Sequence, residues 1–153
     1  MLKGLFKKRT KQTAQIGGKL GTEDMLAVLG TEKRAALHSA GIYASSDAYR
    51  VSSQVLEGYI SEIKENLFQA LEWRRKMETS EDRKEEFRGK KNDCIRAAKI
   101  YDESPMRGMD SQRLEKQITA NVLPNLNKAL RCQKEIEELK ASLKTPQQES
   151  SNA

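Results

Sequence analysis

The stretch LEGYISEIKENLFQALEWRRKM (56–77) indicates the fold class. Its apolar residues recur at alternating intervals of four and three, an average of about 3.5 that is typical of helices packed along a coiled-coil seam. The stripe consists of Leu56, Ile60, Ile63, Leu67, Ala70, Arg74 and Met77. Because Tyr59, Phe68, Leu71 and Trp73 broaden this face, we expect the helix to pack against more than one neighbour.

A second stripe with the same spacing runs through residues 111–143. It consists of Ile118, Val122, Asn125, Ala129, Cys132, Ile136, Leu139 and Leu143. Pro124 lies within it, and because proline has no N–H and clashes with the preceding turn, we expect the helix to kink or restart there. Asn125 has two interpretations: it sets the register of a coiled coil, or it faces water at the kink.

Two shorter helices are predicted on either side of the first stripe. Thr22 is a candidate N-cap and Gly41 a candidate end for one of them, and Ser45 to Asp47 resemble the start of the next helix. The tetrapeptide LGTE occurs at 20–23 and 29–32, and we interpret both copies as helix-entry sequences rather than a repeat architecture. The sequence therefore predicts an all-α protein: an elongated helical bundle or coiled-coil-like hairpin of about four helices, at about 22–40, 47–78, 81–102 and 111–143.

Charge divides the chain near residue 22. Residues 1–22 hold six of the 28 Lys and Arg residues and none of the 22 Asp and Glu residues, so the rest of the chain has 22 of each and no net charge. Three glycines within 16–21 favour a flexible joint. We therefore predict a basic amphipathic arm with a glycine-rich hinge at 1–21, a helical domain at 22–143 and a disordered tail at 144–153.

The arm resembles helices that bind membrane surfaces, because its apolar side chains share one side and its lysines occupy much of the remainder. Each basic residue near an anionic leaflet contributes about 1 kcal/mol, and each buried apolar side chain adds roughly 1.5–3 kcal/mol before the cost of ordering the segment. The candidate residues for binding an anionic membrane or another anionic partner are Leu2, Lys3, Leu5, Phe6, Lys7, Lys8, Arg9 and Lys11.

The sequence holds no pattern that predicts catalysis or metal binding. His38 is the single histidine, and it forms no ligand or nucleophile spacing with Cys94 or Cys132. Thr13 and Leu20 stand where a phosphate-binding loop needs Gly and Ser or Thr. Two cysteines do not make a disulfide framework, and no apolar stretch is long enough to span a bilayer. We expect a non-enzymatic cytoplasmic protein without metal or cofactor, either free or peripheral on a membrane.

Three functions fit these observations. The first is a helical adaptor or scaffold that binds protein partners through its apolar stripes and an anionic membrane surface through its arm. The alternatives are a nucleic-acid-binding accessory protein that uses the basic arm, and a secretion-type chaperone or coiled-coil subunit of a larger complex; a homo-oligomer fits the stripes as well. The residues predicted to pack on a partner helix are Leu56, Ile60, Ile63, Leu67, Trp73, Met77, Ile118, Val122, Ile136, Leu139 and Leu143.

Overall fold

The computed structural model describes the side chains of residues 21–143, and it confirms an all-α fold with four helical segments. The segments are α1 (Leu2–Ser39), α2 (Ser53–Thr79), α3 (Lys84–Ala97) and a composite last helix of α4 (Ser111–Gln117), a π-helical turn (Ile118–Val122) and α5 (Leu123–Asn152). Short 3-10 helices lie at Asp47–Tyr49 and Pro105–Gly108. The predicted flexibility of the arm and disorder of the tail concern residues 1–20 and 144–153, which lie outside the described residues.

The helical body is built from two similar halves whose sequences are offset by 58 residues. Residues 37–60 align with residues 95–118 without a gap, and each half is a helix, a loop with a 3-10 helix, and a second helix. The identical pairs in this range are Ala40 and Ala98, Ile42 and Ile100, Tyr43 and Tyr101, Ser46 and Ser104, Ser53 and Ser111, Gln54 and Gln112, Leu56 and Leu114, Glu57 and Glu115, and Ile60 and Ile118. We did not predict this repeat, because its identities are scattered and LGTE is not part of it.

The first helix of each half ends in a Schellman motif. The N–H of Ile42 donates to the Leu37 carbonyl (3.1 Å) and the N–H of Gly41 to the His38 carbonyl (2.9 Å). The equivalent bonds of the second half join Ile100 to Ile95 (3.4 Å) and Lys99 to Arg96 (2.9 Å). The motif requires a positive φ at its turning residue, and φ is 92° at Gly41 and 68° at Lys99.

The two loops meet at the centre of the molecule through an isolated antiparallel bridge between Ile42 and Ile100. The N–H of Tyr43 donates to the Lys99 carbonyl at 3.0 Å, and the N–H of Tyr101 donates to the Gly41 carbonyl at 2.9 Å. Tyr43 and Tyr101 are equivalent residues of the two halves, and so are Gly41 and Lys99. Exchanging the halves therefore converts each hydrogen bond into the other, so the halves are related by a pseudo-two-fold axis through this bridge.

Each half packs mainly on the other half. α1 lies against α5, α3 lies against α2, and α2 lies beside α4 and α5. Side chains from both halves form one central core, and the equivalent residues in it are Leu37 and Ile95, Ala40 and Ala98, Ile42 and Ile100, Leu56 and Leu114, Ile60 and Ile118, Ile63 and Val122, Leu67 and Leu126, and Ala70 and Ala129. The halves therefore complete one another's core rather than forming two separate units.

Two predicted helices have wrong boundaries, and the loop chemistry explains both cases. The predicted helix at 47–78 begins instead at Ser53, because Ser46 accepts from the Ala48 N–H (3.1 Å) and caps only a 3-10 turn. The predicted helix at 81–102 spans Lys84–Ala97, because residues 80–83 form a turn and the chain leaves the helix before Lys99.

The π-helical turn corrects the predicted register of the last helix. The N–H of Leu123 donates to the Ile118 carbonyl, five residues earlier, so this segment contains one more residue than the equivalent part of α2. Helix α5 restarts at Leu123 with Pro124 in its first turn, as the sequence predicted. Because of the extra residue, Leu126 rather than Asn125 enters the core, and the offset between the halves becomes 59.

Neither predicted interpretation describes Asn125. Its side chain is half-buried and donates to the carbonyl oxygen (2.8 Å) and the Oδ1 (2.9 Å) of Asn121 in its own helix. The equivalent Asn66 makes the same kind of bond, from its Nδ2 to the Glu62 carbonyl at 3.0 Å. The asparagine therefore bonds to the preceding turn in both halves.

Candidate interaction surfaces

Most of the residues predicted to contact a partner helix are buried in the chain's own bundle. Leu143 is exposed, while Leu139 is half-buried against a small cluster that includes Leu29 and Ile136. The residues of the predicted set that are buried within the chain are Leu56, Ile60, Ile63, Leu67, Met77, Ile118, Val122 and Ile136. The two stripes are thus used to hold the halves together.

Trp73 contacts α3 rather than a free surface. Its ring stacks on Phe87 with centroids 5.5 Å apart, and the ammonium groups of Lys76 and Lys90 lie 4.5 and 4.6 Å from its centroid. Arg83 lies over the Phe87 ring at 4.8 Å. This aromatic pair fastens the thin helix α3 to α2, and the equivalent position at the other end of the bundle is the Leu29, Cys132 and Ile136 cluster.

An open groove with a volume of about 480 Å³ lies on the outward face of α2. We call it the α2 groove, and it is lined by Ser61, Lys64, Glu65, Phe68, Gln69, Leu71, Glu72 and Arg75. Phe68 and Leu71 give it an apolar floor that is continuous with the core. Phe68 and Leu71 are two of the four residues that broaden the first stripe, and they were the sequence signal for the groove. The polar residues around them did not suggest a cavity.

Charge distinguishes the α2 groove from the equivalent face of α5. The groove carries Glu65 and Glu72 against Lys64, while the guanidinium of Arg75 is held 3.4 Å from the Glu115 carboxylate. On α5 the equivalents of Phe68, Gln69, Glu72 and Arg75 are Asn127, Lys128, Arg131 and Lys134, all exposed. The face of α5 is therefore basic and has no aromatic residue, whereas the groove has two carboxylates, two cations and an apolar floor.

Reciprocal carboxylate contacts bind the ends of the long helices. Glu137 accepts from the N–H (2.7 Å) and the hydroxyl of Ser53 at the start of α2. Glu78 accepts from the N–H (2.8 Å) and the hydroxyl (2.6 Å) of Ser111 at the start of α4. These hydrogen bonds from Ser53 and Ser111 lower the pKa of Glu137 and of Glu78, because they stabilise the charged carboxylates.

Each half also buries one lysine at an equivalent position. The Nζ of Lys33 donates to the Gln133 Oε1 at 2.9 Å, and the Nζ of Lys91 donates to the Arg107 carbonyl. Burial is the main cause that lowers the pKa of both amines. Nearby guanidinium groups lower the pKa of Lys91 further, including that of Arg74, which stands where the other half has Gln133.

The histidine and the two cysteines are dispersed over the bundle. His38 is exposed in the last turn of α1, Cys94 lies half-buried on α3, and Cys132 is buried on α5. Burial raises the pKa of both thiols. Among residues 21–143, no group of three or more His, Cys, Asp or Glu side chains is arranged to hold a metal ion. Within the same part of the chain, no helix is both long and apolar enough to cross a membrane.

The predicted arm residues, Leu2 to Lys11, lie outside the described residues. The junction is described: α1 is kinked at Gly21, whose φ of 71° and ψ of −173° lie outside the helical region. Comparison with protein-family models, characterised protein sequences and solved structures gives no match. The function must therefore be argued from the physical properties of the chain itself.

Proposed function

We propose that this protein is a non-enzymatic helical scaffold that attaches peripherally to an anionic membrane surface through its arm. The supporting observation is the separation of charge: residues 1–22 hold the entire net charge of +6, and the remaining chain is balanced. The kink at Gly21 separates this basic segment from the packed part of α1. Attachment and scaffolding are therefore assigned to different parts of the chain.

The scaffold role rests on the way that the halves complete one core. Because the apolar stripes are buried inside the bundle, protein partners of the adaptor would bind side chains that remain outside it. The large apolar side chains that are most exposed among the described residues are Tyr43, Val55 and Leu143. These are scattered, so we assign partner binding to the polar outer faces rather than to the stripes.

Flotation with anionic vesicles tests the membrane proposal. Phe6→Asp places a charge on the apolar side of the arm, and we expect it to abolish binding because the side chain can no longer enter the bilayer interface. Gln15→Asp makes the same change of charge on the opposite side of a helical arm, and we expect it to weaken binding only by the equivalent of about one charge, roughly fivefold. Equal flotation of the wild type and Phe6→Asp would exclude insertion of the arm.

A second candidate, nucleic-acid binding, is favoured by one feature of the body. Lys128, Arg131 and Lys134 are exposed at successive turns of α5 and add a basic face to the basic arm. Binding to duplex DNA through about five phosphate contacts should give a log–log salt slope of about −4.5, and Arg131→Glu should reduce it by about one contact. A binding constant that does not respond to salt would exclude this candidate.

A further inference from the structure

We propose that the arm docks in the α2 groove of its own chain and competes there with the membrane surface. The docking itself needs only the groove and the arm; the regulatory consequence rests on the proposed membrane function. A docked arm would turn its apolar side toward Phe68 and Leu71 and withhold it from lipid.

The α2 groove is open to solvent. All eight described lining residues belong to α2. A single helix has a convex surface, so the volume of about 480 Å³ lies over a shallow face that another segment can cover. The chain outside residues 21–143 consists of the arm and the tail, and the tail sequence TPQQESSNA offers almost nothing apolar to bury. Leu2, Leu5 and Phe6 make the arm the segment that suits an apolar floor.

Charge also favours α2 over α5 as the docking face. The arm holds six cations and no acid, and the groove places Glu65 and Glu72 beside its apolar floor. The equivalent face of α5 has Pro124 and Arg131 at these two positions. A basic segment therefore meets two carboxylates as well as two cations on α2, whereas the charged residues at the equivalent positions of α5 are only cations.

The arm is long enough to reach the α2 groove. Leu26 packs at the same end of the bundle as Leu139, and Glu137 bonds to Ser53 there, so the arm joins the body near the start of α2. Nineteen helical residues extend about 28 Å, and α2 covers about 27 Å between Ser53 and Leu71. The kink at Gly21 provides the change of direction that this path needs.

Substitutions that copy residues of α5 into the equivalent positions of α2 test the docking. The double variant Phe68→Asn, Glu72→Arg introduces the residues that α5 holds at these positions, Asn127 and Arg131. It therefore removes one apolar and one acidic contact of the groove. The new side chains are ones that the equivalent face of α5 already carries. In limited trypsin digestion of the full chain without lipid, we expect cleavage at Lys7 to Lys11 to become about tenfold faster, because cleavage follows the population of released arm. Circular dichroism would confirm that both proteins are equally folded.

Arg131→Glu is the matched control, because it changes the charge of α5 by the same amount and leaves the groove intact. We expect its digestion rate to equal that of the wild type. Equal rates for the wild type and the double variant would overturn the docking. A wild-type rate that falls as protein concentration rises would also overturn it, because the groove would then hold the arm of a second copy.

Vesicle binding separates this inference from the proposed function. If both hold, the double variant binds anionic vesicles more tightly than the wild type, since its arm is already released. Faster digestion without any vesicle binding would support the docking and contradict the membrane function. Vesicle binding with unchanged digestion would do the reverse.

Discussion

Gly41 and Lys99 occupy equivalent turns that impose the same backbone conformation on different amino acids. A left-handed φ costs a residue with a Cβ roughly 1–2 kcal/mol, whereas glycine adopts it freely. Lys99 recovers part of this cost, because its ammonium lies 4.9 Å from the centroid of the Tyr59 ring. The pair thus offers an internal comparison of glycine with a side-chain-bearing residue.

We predict that Lys99→Gly stabilises the protein by about 0.5–1 kcal/mol, since it relieves the strained φ and loses only the cation–π contact with Tyr59. Gly41→Ala should destabilise it by about 1 kcal/mol, mainly through φ, because a Cβ there would make ordinary contacts of 3.5 Å or more with Ile100. Urea denaturation at constant m-value measures both changes. A Lys99→Gly protein less stable than the wild type would contradict this account of the turn.

The carboxylates of Glu78 and Glu137 link stability to pH. Their folded-state pKa values lie below the ordinary 4.5, so their contribution is complete above that value and is lost as the pH falls through the folded pKa. We predict that the free energy of unfolding declines between about pH 5 and pH 3, and that Glu137→Gln costs about 1 kcal/mol at pH 7 but much less at pH 3.

The exposed Glu138, next to Glu137 on α5, provides the control for this prediction. Glu138→Gln should follow the wild-type pH profile, since it is Glu137 and not its neighbour that accepts the hydrogen bonds of Ser53. Thermal melts across the pH range supply the measurement. If Glu137→Gln and Glu138→Gln gave the same profile, the contact with Ser53 would not stabilise the start of α2.

At the scale of the element, the last helix differs from α2 by one inserted residue. Ile118 and Val122 are four positions apart where Ile60 and Ile63 are three, and the π-helical turn absorbs the difference. A π turn immediately before Pro124 is physically reasonable, because proline cannot donate to the regular helical pattern. The turn therefore restores the register of the core beyond it.

We predict that deleting Thr119 together with Pro124→Glu leaves stability within about 1 kcal/mol of the wild type, because the segment then matches α2, which holds Glu65 at the equivalent position. Deleting Glu62 from α2, which has no inserted residue, should rotate its core residues out of place and cost several kcal/mol. Differential scanning calorimetry of both deletions tests this, and equal losses would show that the π turn is not an insertion.

Apolar periodicity predicted the helices well where a continuous stripe determines which residues are buried. It predicted them less well where a single irregular turn changes the register. The stripe of α2 from Leu56 to Met77 is buried as its spacing indicated, apart from Arg74. The stripe of the last helix failed at Asn125, because a π turn shifts register without a reliable sequence signal. The α2 groove was not predicted, since a cavity depends on which neighbours a helix lacks.

At the scale of the whole molecule, the fold class followed from the sequence but the symmetry did not. Composition and spacing predict long helices, and they leave open how those helices pair. Pairing is specified by the loops, where Tyr43 and Tyr101 donate across the centre to Lys99 and Gly41. The available sequence signal for the repeat was that identical residues recur at a constant separation of 58 positions.

This symmetry bears on function, because it identifies where the halves have diverged. The positions that hold the core together are similar in both halves, whereas the outer faces of α2 and α5 differ in charge and in their aromatic residue. The arm precedes the first half of the repeat. The segment that precedes the second half is α2, which belongs to the first half, so the arm has no counterpart. The proposed membrane and docking roles both use these divergent parts.

Two equivalent halves cross at Ile42 and Ile100, and disulfide trapping tests this crossing most directly. Opposed residues of such a bridge have Cα atoms about 4.5 Å apart, which suits a disulfide. Ile42→Cys and Ile100→Cys, combined with Cys94→Ala and Cys132→Ala, should oxidise in air to a single intramolecular disulfide in the monomer, detected by peptide mass spectrometry. Recovery of both introduced thiols in the alkylated form from folded protein would contradict the crossing.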